Sequence, residues 1–217
     1  MHVNNSKLAS HVPPQVVTRL LDVAELLFAE HGYTAASVRQ IAQSAGVNQA
    51  LINYHFQTKQ GLFMAVFERR CRVLMQEREE LLAEALRRGA ESGKVALRDI
   101  IYAFVYPPLR MANDDGPGGR AFVKLQARLH HEPKELEQAL RARYYDQTTF
   151  KFVDALRACF PDRSPESIYW RLTFVMGIYI YVASNTGRIE IISRGTCKGT
   201  DLAQALAEIL DFCEHGF

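Results

Sequence analysis

SVRQIAQSAGVNQALINYHFQTKQGLF, residues Ser37 to Phe63, decides how the rest of the chain is read. Ser37 with Gln40 three positions on forms a capping box, which supplies partners to the free N–H groups at a helix start. Val38, Ile41 and Ala42 then give that helix one apolar side. Gly46 ends it, because glycine takes the left-handed conformation cheaply. Asn48 caps a third helix running to about His55, and Thr58 caps a fourth. Two short helices joined by a tight Gly-containing turn make a helix-turn-helix.

The composition of the third helix points to chemistry rather than packing alone. Val47, Leu51 or Ile52, and Phe56 suffice for its buried side. Asn48, Gln49, Asn53, Tyr54 and His55 are left over. Asn and Gln pair bidentately with adenine, and Tyr or a small apolar group lies against a thymine methyl. Ser37, Arg39, His55 and Lys59 surround the motif and suit phosphate contacts, as do the free N–H groups at helix starts. The expected partner is double-stranded DNA. The alternative is a helical hairpin that binds another protein.

Around this motif the pattern is helical nearly throughout, so the expected fold class is all-α. Val16, Leu20, Val23, Leu27 and Phe28 recur at helical spacing from about Gln15 to His31, and Gly32 follows as a C-cap. Met1 to Val12 reads as a flexible arm, 13–60 as a three-helix DNA-binding unit, and 61–217 as a larger helical bundle. In that bundle, Lys94 to Tyr106 predicts a helix stopped by Pro107-Pro108, and the stretch NDDGPGG, Asn113 to Gly119, predicts a loop. Helices are expected over Arg120 to His130, Pro133 to Phe160, Pro165 to about Thr186 and Asp201 to Glu214, with Ile189 to Ile192 as a loop or helix end.

The formal net charge is +2 over 217 residues, with 48% apolar residues, which excludes a general polyanion binder. Lys7, Arg19, Arg39 and Lys59 oppose only Asp22, Glu25 and Glu30 in the first sixty residues, so a weakly charged reader must gain affinity as a dimer. Ile168, Leu172, Val175 and Tyr179 in one late helix, with Leu202, Leu206, Ile209 and Leu210 in the last, make apolar faces that suit either a homodimer surface or the protomer's own core. Phe104, Phe122, Tyr145 and Phe174, with the polar Gln126 and Arg128, are candidates for a mainly apolar small-molecule site.

With those residues in place, the run from Leu20 to Phe63 resembles the DNA-binding domain of the TetR family of one-component regulators. Its landmarks are the His31-Gly32-Tyr33 corner, Val38-Arg39-Gln40-Ile41-Ala42, the Ala45-Gly46-Val47 turn, Tyr54-His55-Phe56 and Lys59. The resemblance implies that Gln49, Ala50, Asn53 and Tyr54 face bases and that Ser37, Arg39, Tyr54, His55 and Lys59 touch phosphates. Many members carry Tyr where this chain has Asn53, and a small or hydroxyl residue at Leu51, which bears on base preference. The resemblance further implies a homodimer on a palindromic operator, released by an effector as a repressor; a ligand-dependent activator is the alternative sign. Phe152 to Tyr181 is similar to a subgroup that includes fatty-acid-responsive regulators, which implies an acyl-type or other apolar effector.

Other classes lack their motifs. There is no HExxH, no phosphate-cradling Gly loop and no Gly-x-Ser-x-Gly, so no enzyme and no cofactor are expected. His130 and His131 would point about 100° apart on a helix, a poor metal pair. Cys71, Cys159, Cys197 and Cys213 show no CxxC spacing and read as reduced thiols. No apolar run is long enough for a membrane span, and no signal peptide is visible, so a cytoplasmic protein is expected.

Overall fold

The computed structural model describes residues 14–114 and 116–217, with the side chains at 114, 116 and 117 set aside; the expected arm at Met1 to Val12 lies outside the described residues. The described chain is helical: α1 (Pro14–Ala35), α2 (Val38–Ala45), α3 (Gln49–Phe56), α4 (Lys59–Ser92), α5 (Leu97–Asp114), α6 (Gly116–Arg128), a 3-10 turn (Leu129–His131), α7 (Lys134–Tyr144), α8 (Asp146–Cys159), α9 (Pro165–Ser184), α10 (Arg188–Ile192) and α11 (Leu202–Gly216).

The expected caps form. Ser37 Oγ accepts from Gln40 N at 3.0 Å, Asn48 Oδ1 from Ala50 N at 2.9 Å, and Thr58 Oγ1 from Gly61 N at 3.0 Å. Gly46 takes the left-handed conformation at φ 64. Each cap satisfies a donor that the helix end leaves free, worth about 1 kcal/mol. Gly32 does turn left-handed, at φ 78, but the chain resumes one further turn to Ala35.

Two cores lie along α4, which at 1.5 Å per residue is roughly 50 Å long. The first joins Leu20 and Phe28 of α1, Ile41 of α2 and Ile52 of α3 to Phe63 and Phe67 of α4 and Phe122 of α6. It runs across the expected division at residue 60, so the small N-terminal unit shares its core with the bundle. Burying each such side chain contributes about 1.5–3 kcal/mol. The second core gathers Leu82, Ile101, Phe104, Phe152, Leu172 and Ile209 from α4, α5, α8, α9 and α11.

Several expectations are corrected here. Pro107 and Pro108 do not stop α5; they lie inside it. A proline removes the bond to the carbonyl four residues back. Pro108 thereby frees the Phe104 carbonyl, and Arg78 of α4 donates to it through Nε at 2.9 Å. A partner from another helix thus replaces the missing N–H. The stretch from Asn113 to Gly119 is not an extended loop: α5 reaches Asp114 and α6 starts at Gly116. Pro133 to Phe160 is two helices, broken where Tyr145 departs to φ -116. Ile189 to Ile192 belongs to the short helix α10.

The proposed dimer residues are corrected as well. Ile168, Leu172, Val175 and Tyr179 are buried within the protomer's own second core, and so are Ile209 and Leu210; Leu202 and Leu206 are packed against it. The outward side of α9 is a different set: Tyr169, Trp170, Phe174 and Tyr181, with Trp170 63% and Phe174 59% exposed. Phe212 of α11, 68% exposed, lies beside them. The helix is apolar on both sides, and periodicity alone does not separate an inner face from an outer one.

Candidate nucleic-acid interface

The reading surface is built by α2, the Gly46 turn and α3. Ile52 is the only fully buried residue of α3, with Leu51 and Phe56 half-buried. That single anchor leaves Gln49, Ala50, Asn53, Tyr54 and His55 exposed on one helix of two turns. The Tyr54 and His55 rings meet edge to face at 5.1 Å between centroids. Ser37, Arg39 and Asn48 are exposed alongside. The sequence-derived residues are thus exposed on α2, α3 and their caps, apart from the half-buried Lys59.

Lys59 is half-buried and folds back onto the end of α1. Its Nζ donates to the Thr34 carbonyl at 3.1 Å and lies 4.7 Å from the centre of the Tyr33 ring. Burial pulls its pKa down, and the nearby Glu132 carboxylate pushes it back up. It fastens the end of α1 to the start of α4 and so holds the frame on which α3 sits.

The same corner is gripped from the bundle. Tyr33 N donates to Glu132 Oε1 at 2.9 Å, and Arg128 Nη1 donates to the Glu30 carbonyl at 3.2 Å. Arg128 was a ligand candidate; it is exposed and occupied as a clamp on α1 instead. Gly32 keeps this contact tight, since a Cβ there would stand 3.0 Å from both Arg128 Nη2 and Glu132 Oε1. Behind the corner, Glu25 of α1 is fully buried and accepts from Arg69 Nη2 at 3.0 Å, Arg70 Nε at 2.9 Å and Arg70 Nη2 at 2.9 Å. These clamps were invisible in the sequence because they join residues 44 to 99 positions apart.

The other ligand candidates divide. Phe104, Phe122, Gln126 and Tyr145 are core residues, with Gln126 Nε2 donating to Tyr145 Oη at 2.8 Å. Phe174 is on the outer face of α9 and lines no interior. Among the described residues no group of three His, Cys, Asp or Glu stands where it could hold a metal ion, and no helix is long and apolar enough to cross a membrane. The four cysteines are free thiols, and burial pushes the Cys71 thiol up to about 12, which keeps it protonated.

Comparison with known proteins agrees with this geometry. Residues 20–66 match the model of bacterial regulatory proteins of the tetR family, and 102–216 match that of the tetracyclin repressor-like C-terminal domain. The HTH-type transcriptional repressor AcnR of Corynebacterium diphtheriae is 36% identical over 83 residues, 38% of this chain and 38% of AcnR. The HTH-type transcriptional repressor Rv1474c of Mycobacterium tuberculosis is 35% identical over 71 residues, 33% of this chain and 34% of that relative. The matches thus take in little more than a third of these relatives' length. Among solved structures, the transcriptional regulator FadR of Bacillus subtilis, in complex with stearoyl-CoA, superposes at a TM-score of 0.66 with 16% identity, covering 93% of this chain and 99% of FadR. The fatty acid degradation regulator FadR of Bacillus halodurans reaches 0.59 with 16% identity, covering 93% and 97%. The chain belongs to the TetR family of bacterial regulatory proteins.

Proposed function

We propose that the chain is an effector-responsive DNA-binding repressor that acts as a homodimer, with 13–60 reading DNA and 61–217 sensing and pairing. The observation that carries this reading is the exposed polar face of α3, held by a single buried residue and framed by capped helix starts. Such a helix enters a major groove with its polar side toward base edges. Gln49, Asn53 and Tyr54 face bases, while Ser37, Arg39, Asn48 and His55 stand over the backbone.

Two substitutions separate base reading from backbone contact. Asn53→Ala is expected to relax preference at one base step, costing about 1–3 kcal/mol there. Arg39, exposed and without a partner among the described residues, is expected to act through phosphate. Arg39→Ala should weaken binding evenly across sequences and flatten the salt slope by about one. Fluorescence anisotropy on matched and mismatched duplexes over a salt series checks both. Identical behaviour of both variants on every duplex would remove the reading.

The second copy is the occupant proposed for the outer face of α9. Trp170, Phe174, Tyr181 and Phe212 form an apolar strip larger than isolated surface residues explain. At Gly177, on this strip, an added Cβ would meet nothing within 4 Å, which leaves room for another helix to approach. One strip meeting its own copy about a two-fold axis makes a closed, isologous pair. Phe174→Asp is expected to shift sedimentation from dimer to monomer, with helicity unchanged. A wild-type chain that sediments as a monomer at micromolar concentration would contradict the pairing.

A further inference from the structure

The middle of the bundle holds an arginine whose charge is not neutralised. Arg78 is 1% exposed, yet among the described residues no carboxylate pairs with it. A guanidinium stays charged, and burying an unpaired charge is expensive. Its Nε is used by the Phe104 carbonyl, but Nη2 is buried with no hydrogen-bond partner. The guanidinium carbon lies 4.0 Å from the centre of the Phe104 ring and 5.2 Å from that of Tyr179. These faces partly stabilise the cation, but they do not replace an acceptor.

A second orphan lies on α6. Gln126 donates to Tyr145, while its Oε1 is buried without a partner. Tyr145 is itself buried at the junction of α7 and α8, as Cys71 is on α4. The bundle therefore buries two unsatisfied polar atoms, Arg78 Nη2 on α4 and Gln126 Oε1 on α6. One turn of α4 away, a cleft of about 600 Å³ has Cys71, Met75 and Thr148 at its buried floor.

We propose that Arg78 anchors the carboxylate of an apolar organic acid, whose body displaces the packing between α4, α5 and α9. The proposal rests on the effector-responsive reading above and names the effector's chemical class. The carboxylate accepts from Nη2, and the two rings flank it. The consequence for the DNA-reading unit follows from position. Arg78 is on α4, which carries the reading unit at its start. Gln126 is two residues before Arg128, the clamp on α1. An acid that binds a repacked bundle more tightly than the packed one shifts the population toward the former.

The test titrates the full chain with n-alkanoates from hexanoate to dodecanoate and with the primary alcohols of the same lengths. Calorimetry is expected to show saturable binding of at least one alkanoate, at least about tenfold tighter than its alcohol, a difference of about 1.4 kcal/mol. Arg78→Met should erase that preference, and Arg78→Lys should keep part of it. Should Arg78→Met fail to fold, arginine-15N spectra of the unaltered chain decide the matter. Arg78 is the one fully buried arginine among the described residues, and its Nε–H signal should move with the acid and not with the alcohol. Equal affinity for acid and alcohol, an unmoved signal at saturation, or no saturable binding by any acid in the series would overturn the proposal. Binding to DNA is scored separately on the same samples. Its absence would strike the repressor reading and leave the acid site to be judged by the titration.

Discussion

Glu25→Ala is expected to destabilise the fold by about 3 kcal/mol, the lower end of what breaking a buried ion pair costs. The carboxylate is fully buried and receives donors from Arg69 and Arg70. Both arginines keep some exposure, and Arg69 also holds the exposed Asp22 at 2.6 Å. Water and Asp22 offset part of the loss, which places the effect at the low end. The loss falls at the contact of α1 with α4 and α6. Gly118 of α6 stands against this pair so closely that a Cβ would lie 2.2 Å from Arg70 Nη2 and 2.9 Å from Glu25 Oε2. The variant should therefore loosen the reading unit first. Hydrogen exchange should rise in α1 before α9, and the denaturation midpoint should fall. Uniform exchange across the chain, or a change below about 0.5 kcal/mol, the range of ordinary surface substitutions, would show that the cluster contributes little.

The other large effect is expected at Gly61. A Cβ there would stand 2.0 Å from the Phe56 carbonyl oxygen, a backbone atom that cannot swing away like a side-chain tip. The junction is already constrained. Gln57 holds φ 62, a conformation uncommon outside glycine, and Thr58 N donates back to Phe56 O at 2.6 Å. Gly61→Ala must push the end of α3 away from the start of α4. Overpacking of this kind costs about 1–3 kcal/mol. Because Ile52 is the one fully buried residue of α3 and Phe56 sits at the displaced end, the displacement reaches the base-reading side chains. DNA affinity is expected to fall by at least about tenfold, while the bundle's melting is less affected. Retention of full affinity by Gly61→Ala would show that α3 adjusts freely on this junction.

The parts of this molecule that were legible in sequence are those whose causes are local. Ser37, Asn48, Thr58 and Gly46 act within four residues of themselves, and each cap appears where its chemistry places it. The exposed face of α3 was legible because its polar residues exceed what a surface helix of eight residues needs. What was not legible depends on partners far along the chain. The Pro107-Pro108 pair is expected to break an isolated helix, and the Arg78 bond to the Phe104 carbonyl that Pro108 frees comes from 26 positions away. Lys59 reads as a free surface cation until Thr34 and Tyr33 are placed beside it. Arg128 reads as a buried polar group for a ligand, whereas it reaches outward to Glu30. In α9 the aromatic content was evident, but which aromatics the protomer keeps for itself depends on where α5 and α11 lie.

In the proposed function α3 reads DNA from a two-fold pair. Selection of bound duplexes from a random pool with the purified full chain, followed by hydroxyl-radical footprinting of the winner, tests it most directly. The expected winner is an inverted repeat whose half-sites lie on one face of the duplex, centred roughly 34–36 Å apart or a multiple of that distance. Asn53→Ala is also expected to select a pool degenerate at one position in each half-site. No enrichment over the starting pool, or a single unrepeated site protected by a monomer, would contradict this reading.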